Sequence, residues 1–191
     1  MKKISKISSL LVLLGTLALL LTYILPIWRI DLWAPQYPEG LSMFIWLDKL
    51  SGQVEIINGL NHYIGMAHIK EEMFPEFDIL PWIMGGIIAF GLLVSFFRTR
   101  KWLLSYLILL IVCGIAALVD FYKWGYEYGH NLAEDAAIKV PGMSYQPPVI
   151  GYKQLLNFGA YSVPASGGWI VVTLGLILIG TVVYEFKYRK S

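Results

Sequence analysis

Four apolar runs limit what this sequence can fold into. They cover residues 10–27, 79–97, 102–119 and 167–184, and apart from Cys113 and tyrosines they contain no ionisable side chain. Each run approaches the ~20 residues that an α-helix needs to cross ~30 Å of hydrocarbon. In lipid a helix satisfies its own backbone hydrogen bonds, so the runs predict an all-α integral membrane protein, a bundle of four transmembrane helices. Composition agrees, because only 15% of the residues are charged, against about 25% in soluble domains.

Three clusters of cations predict how these helices are oriented. Nine of the fifteen lysines and arginines lie at residues 2–6, 98–101 and 187–190, beside the ends of the runs. Because cytoplasmic loops carry an excess of lysine and arginine, we expect both termini in the cytoplasm and a multi-pass protein of the bacterial inner (cytoplasmic) membrane. As a single membrane domain of residues 1–191, the chain should have helices at about 8–27, 79–97, 102–120 and 167–186, with outer segments at about 28–78 and 121–166. No small-residue cleavage site follows the first run, which predicts an uncleaved anchor.

The two outer segments are expected to hold loops and short helices. Residues 33–43 include Pro35, Pro38 and Gly40, which indicate irregular backbone. Residues 44–50 suggest a short helix or a turn that lies on the surface, and the alternation at residues 53–57 suggests a brief strand. Residues 59–74 have the spacing of an amphipathic helix. Helical spacing in residues 120–135 indicates that the third helix continues past the bilayer, and residues 140–166 predict ordered loop.

Histidine and methionine are concentrated in the outer segments, which suggests a metal site. Thioether is a soft ligand that favours Cu(I), and imidazole binds copper in either oxidation state. If residues 59–74 are helical, the first histidine there shares a face with the methionine four residues later; if they are extended, that methionine shares a face with the second histidine. The alternative is that these side chains pack at the membrane surface without a metal. The candidate copper ligands are His62, Met66, His68, His130 and Met143.

The sequence contains no recognisable catalytic pattern. It has no nucleophile elbow, no HExxH motif and no glycine-rich phosphate loop, so we predict that the chain is not an enzyme. No ionisable residue lies mid-run, which argues against an ion pump or transporter, and the single Cys113 excludes an internal disulfide or a CxxC redox pair. Twelve of the thirteen acids, all but Glu185, fall in the outer segments or, for Asp120, directly beside one, so nucleic acid is not an expected partner. The acidic stretch of residues 71–78 suits a basic protein partner.

Three blocks of the chain carry a resemblance to a known group of proteins. The blocks are residues 26–41 (PIWRIDLWAPQYPEGL), 57–77 (INGLNHYIGMAHIKEEMFPEF) and 125–148 (GYEYGHNLAEDAAIKVPGMSYQPP). They resemble the small four-helix membrane proteins encoded within nitrous oxide reductase gene clusters. The resemblance implies an accessory role beside a periplasmic copper enzyme and its copper chaperone, and it carries over no catalytic residues.

Two hypotheses about function follow from the sequence. The first is an integral membrane accessory protein of a copper-dependent respiratory system, which binds copper or docks a periplasmic or membrane protein partner at the outer face. The second is a structural scaffold subunit of a membrane complex without metal. Convergence of the three histidines on one cavity would favour the first hypothesis, and wide separation would weaken it.

Overall fold

Four of the helices are long and apolar enough to cross a membrane. The computed structural model of the protein describes residues 2–138, 140 and 142–189. The four spans are Lys6–Tyr23, Glu76–Phe97, Arg100–His130 and Ser166–Tyr188. The described helices are α1 (Lys6–Ala18), extended by a 3₁₀ turn at Leu19–Tyr23, α2 (Val54–Tyr63), α3 (Glu76–Phe97), α4 (Arg100–His130) and α5 (Ser166–Val183), which ends in a π-helical turn at Tyr184–Tyr188.

The prediction of an all-α fold is wrong, because the segments between the apolar helices build a five-stranded antiparallel sheet. Its strand order is β3-β2-β1-β5-β4. The strands are β1 (Trp28–Ala34), β2 (Tyr37–Ile45), β3 (Leu50–Gly52), β4 (Gly151–Leu155) and β5 (Phe158–Pro164). The irregular backbone expected at residues 33–43 is therefore mostly strand. Residues 44–50 form the end of β2, a turn and the start of β3, so the turn expected there is present and the short helix is not. The loop expected at residues 140–166 contains β4 and β5, and the strand expected at residues 53–57 is the start of α2.

The sheet joins the helices through its two central strands. β1 follows the 3₁₀ turn after α1, and β5 leads directly into α5, so the β1–β5 pair connects parts of the chain that are far apart in sequence. Ile27 lies at the junction, where its N–H donates to Ile45 O at 2.8 Å and its carbonyl accepts from the N–H of Ala165 at 3.0 Å. The sheet and the apolar helices are therefore coupled through backbone hydrogen bonds.

A separate hydrophobic core lies under one face of the sheet. Alternate strand residues such as Ile30, Leu41 and Met43 point to this face and are 2–3% exposed, as expected for strands with one buried side. The last turns of α4 cover it with an aromatic stack, in which Trp124 and Tyr128 have ring centroids 4.9 Å apart. The helical continuation expected over residues 120–135 is present as far as His130, and it supplies one wall of this core. We refer to the sheet, α2 and the end of α4 as the sheet domain.

In the part of the chain that the structure describes, the three basic clusters meet at the opposite end of the helices from the sheet. The N–H of Ile4 donates to Arg98 O at 2.7 Å, which ties the N-terminus to the α3–α4 turn. Glu185, fully buried after α5, accepts hydrogen bonds from the Ser5 N–H at 2.7 Å and from the Ser8 hydroxyl at 2.6 Å. It also pairs with Arg189 at 2.9 Å. This carboxylate therefore links the N-terminal and C-terminal segments.

Candidate functional site

A chain reversal after α2 shapes the surface where the predicted metal ligands begin. Gly65 adopts a left-handed backbone conformation with φ of +79°. Its N–H donates to His62 O at 3.1 Å, and the N–H of Met66 donates to Asn61 O at 3.0 Å. These two bonds form the Schellman motif, which ends a helix at a glycine. The single helix predicted over residues 59–74 is therefore wrong, because α2 ends at Tyr63 and the chain turns back.

A buried asparagine holds the returning chain against α2. Asn58 is 2% exposed. Its amide group donates to Ile69 O at 3.0 Å, and its Oδ1 accepts from the Ile69 N–H at 2.8 Å. One side chain thus satisfies both backbone groups of Ile69, as a neighbouring strand would. Since His68 directly precedes Ile69, this contact fixes where His68 lies relative to α2.

The reversal places His62 and His68 side by side on the surface. Both residues are exposed. Their ring centroids are 6.1 Å apart and the ring planes are inclined by 59°. Two imidazoles that share one ion, with nitrogen–metal bonds of about 2.0–2.1 Å, have centroids roughly 5–6 Å apart. The pair therefore lies near the separation that a shared metal ion requires.

The other predicted ligands have different surroundings. Met66 is 6% exposed and packs in the core of the sheet domain. His130, at the end of α4, stacks on Tyr126 with ring centroids 3.9 Å apart, and its Nδ1 lies 2.7 Å from Tyr126 O. Met143 lies at the surface in the loop after α4, 36% exposed. In the described part of the chain no group of three His, Cys, Asp or Glu side chains could hold a metal, so the three histidines do not form one centre there.

No match to this chain is found among protein-family models, characterised proteins or solved structures. The function must therefore be argued from the chemistry of its own residues.

The predicted acidic stretch lies directly after the histidine pair. Glu71 and Glu72 lie in the 3₁₀ turn Glu71–Met73, and Glu76 and Asp78 lie in the first turn of α3. Carboxylates there are stabilised by the positive end of the helix dipole. Glu71 is also structural, because its Oε1 accepts from the Leu50 N–H at 2.8 Å. This surface presents negative charge next to the pair.

Sequence reasoning missed a small cavity under the sheet. Its volume is about 40 Å³, and its lining is mostly apolar and includes Met43 and Met66. Trp124 and Tyr145 also line it, and no group in the described part of the chain accepts from Trp124 Nε1 or pairs with Tyr145 Oη. A water needs about 10–15 Å³ of such space, whereas pockets for organic ligands run to roughly 300–1,000 Å³. The cavity suits ordered water.

Asn58→Ala is expected to lower the free energy of unfolding by about 2–4 kcal/mol, because the buried N–H and C=O of Ile69 both lose their partner. Thermal unfolding of the detergent-purified variant, followed by circular dichroism, measures this loss. The control is Asn131→Ala at an exposed asparagine, for which we expect a change within about 0.5 kcal/mol. Equal stabilities of the two variants would show that Asn58 does not hold the reversal.

Proposed function

We propose that this protein is a multi-pass accessory protein of the bacterial inner membrane that serves a copper-dependent respiratory system, nitrous oxide reduction, and binds Cu(I) on its sheet domain through His62 and His68. The observation that carries the proposal is the 6.1 Å separation of these two exposed rings. The orientation is supported by the basic clusters, which gather at the end of the helices away from the sheet, as expected for a cytoplasmic end.

The donor set suits Cu(I) better than the other common metals. Imidazole suits zinc, copper, iron and nickel, while carboxylate and carbonyl oxygens suit magnesium, calcium and manganese. Structural zinc sites have four protein ligands in almost all cases, and the pair supplies two. Cu(I) is stable with two nitrogen ligands, and the remaining positions are then open to a ligand from another protein. An exposed site of this kind favours transfer of the ion over permanent storage.

The acidic stretch of residues 71–78 adds a docking role to the copper proposal. Negative charge beside a metal site attracts a cationic ion and a basic protein surface, and such complementarity increases the rate of association. The sheet domain would thus dock the partner that delivers or receives copper. The alternative, a scaffold without metal, keeps the docking role of this surface and lacks the ion.

Titration with Cu(I) tests the proposal. The detergent-purified protein should bind one Cu(I) per chain in competition with a chromogenic Cu(I) chelator. His62→Ala and His68→Ala should each weaken Cu(I) binding by more than about 100-fold. Loss of a residue that only hydrogen-bonds to a metal ligand costs roughly 10–100-fold, and loss of a ligand should cost more. His130→Ala is the matched control, because it removes an exposed histidine outside the pair and should leave the affinity unchanged.

Two outcomes would contradict the copper proposal in different ways. If His130→Ala weakens binding as much as His62→Ala, the ion is held by the wider set of residues predicted from the sequence. If the folded wild-type protein binds no Cu(I), the metal chemistry is wrong and the scaffold alternative stands. Circular dichroism of each variant shows that lost binding does not come from lost structure.

A further inference from the structure

The sheet has an open face, on the side opposite its core. Strand residues alternate between the two faces, so the neighbours of Ile30 and Leu32 in β1 point away from the core. Paired positions on β4 and β5 lie on the same side, since Asp31 is opposite Tyr161 and Tyr161 is opposite Tyr152. We call this surface the open face. It includes Arg29, Asp31, Trp33, Ser42, Tyr152, Gln154, Gly159 and Tyr161, with Phe44 and Val163 half-buried beside Arg29.

Three large aromatic side chains are exposed on the open face. Trp33 is 40% exposed, Tyr161 is 37% exposed and Tyr152 is 61% exposed. They lie on three neighbouring strands, β1, β5 and β4. Such side chains supply rigid, amphipathic contact area at low entropic cost. The burial of the sheet domain's own core does not require them.

Glycines beneath two of these rings let the rings lie along the sheet. A Cβ at Gly40 would be 2.9 Å from Trp33 Nε1, and a Cβ at Gly159 would be 2.8 Å from Tyr152 Oη and 3.0 Å from its Cε2. The rings occupy the space that a side chain would take at each position. The hydroxyl of Tyr152 is also anchored, because it donates to Gln154 Oε1. The outward ring surfaces are thus held in fixed positions.

Planar polar groups lie among the rings. Arg29 contacts Asp31 through Nε at 2.8 Å and Nη2 at 2.6 Å, and the hydroxyl of Ser42 donates to the same carboxylate at 2.6 Å. A guanidinium has five N–H donors, of which this contact uses two. The side-chain amide of Gln154 is partly used, because its Oε1 accepts from Tyr152 and its Nε2 donates to Leu156 O at 2.8 Å; it keeps one N–H and one lone pair for a ligand at the edge of the face.

We propose that the open face binds a neutral oligosaccharide chain. A sugar ring has an apolar face of C–H bonds, which carry partial positive charge and stack on the negative face of an aromatic ring. It also has hydroxyls at its edge, which hydrogen-bond to planar charged and amide groups. Trp33 and Tyr152 lie two strands apart, about 10 Å, so a chain of linked sugars, rather than a single ring, spans both.

The exposed guanidinium of Arg29 favours a sugar over a protein partner. The Asp31 carboxylate is already buried, with its side chain 5% exposed, whereas the Arg29 side chain is 46% exposed. A dry protein interface would have to take the remaining N–H donors of Arg29 out of water, and a buried donor without an acceptor costs free energy. A hydrated glycan offers hydroxyls and water to these donors. The site does not depend on the copper proposal, since none of its residues belongs to the histidine pair.

The test is isothermal titration calorimetry with the full chain and three soluble hexasaccharides, those of β-1,4-glucose, β-1,4-N-acetylglucosamine and α-1,4-glucose. The detergent must have no sugar headgroup, because a maltoside would compete. We expect at least one hexasaccharide to bind, and Trp33→Ala and Tyr152→Ala each to weaken binding by about tenfold or more, the loss of a good stacking contact. Tyr63→Ala removes an aromatic side chain that is 57% exposed on α2 and should leave binding unchanged.

Gly159→Ala provides a second variant that keeps both rings. Its new methyl group displaces the Tyr152 ring from the sheet, so binding should weaken while Trp33 is untouched. Failure of all three hexasaccharides to bind the folded wild-type protein would overturn the proposal. Binding that Trp33→Ala and Tyr152→Ala leave unchanged would overturn it as well. A protein partner that binds the wild type and is lost in these two variants, with no sugar bound, would make the face a protein interface.

Discussion

Glu185→Ala is expected to lower the free energy of unfolding by about 3–5 kcal/mol, the usual cost of removing one partner from a buried ion pair. Glu185 is fully buried and holds the N-terminal segment through Ser5 and Ser8. Its other contacts are the guanidinium groups of Arg189, at 2.9 Å, and Arg100, at 4.0 Å. Alanine would leave these cations without their counter-ion and release the N-terminus from the helix ends.

The melting temperature of the detergent-purified variant measures this effect. A loss of this size corresponds to a decrease of about 10 °C in a domain of this length. Glu185→Gln is the matched control, because it keeps the shape and one acceptor oxygen but removes the charge, and it should cost clearly less than alanine. If both variants have the melting temperature of the wild type, the carboxylate does not stabilise this end of the bundle.

The apolar helices were predictable because each is a local pattern that lipid or a bundle interior requires. Residues 79–97, for example, contain no charge over nineteen positions, and no other regular structure suits such a run in lipid. Two helices are longer in the structure than in the prediction, since α3 begins at Glu76 and α4 ends at His130. Charged and aromatic side chains continue each helix beyond the part that is apolar on all sides.

The sheet was not predictable in the same way, for two physical reasons. Its central pair, β1 with β5, joins Trp28 to Pro164, and no local pattern encodes so distant a partner. The open face also carries large aromatic residues such as Trp33 and Tyr161, so apolar side chains occur on both faces and the alternation that marks a half-buried strand is hidden. Pro38 and Gly40 then made β2 resemble a loop.

The histidine pair was only partly predictable. Spacing within residues 59–74 supported a histidine and a methionine together, whereas the structure pairs two histidines. The difference comes from Gly65, which ends α2 in a left-handed turn, and from Asn58, which binds the chain that returns. A glycine after a histidine-containing helix is the sequence signal that could have revealed the reversal.

Alanine substitutions at two glycines of α5 are expected to change the stability of the protein in opposite directions. A Cβ at Gly168, in the first turn of α5, would lie 2.2 Å from Ile27 O and 3.0 Å from the Cβ of Pro164. Neither is the flexible end of a side chain, so Gly168→Ala must move backbone where β1, β5 and α5 meet. Overpacking of this kind costs typically 1–3 kcal/mol and occasionally more; we expect about 3 kcal/mol here, because a junction hydrogen bond to Ile27 O is also strained.

Gly180→Ala is the matched control in the same helix. No atom other than the glycine's own neighbours lies within 4 Å of a Cβ built at Gly180, and alanine is favoured over glycine inside a helix by about 1 kcal/mol. The melting temperature should therefore fall with Gly168→Ala and rise slightly with Gly180→Ala. If the two variants change it equally, helix propensity alone explains the result and the close approach of α5 to Ile27 does not hold the sheet domain on the bundle. If they diverge as expected, the position of the sheet over the helices, and with it the placement of both proposed binding surfaces, depends on this contact.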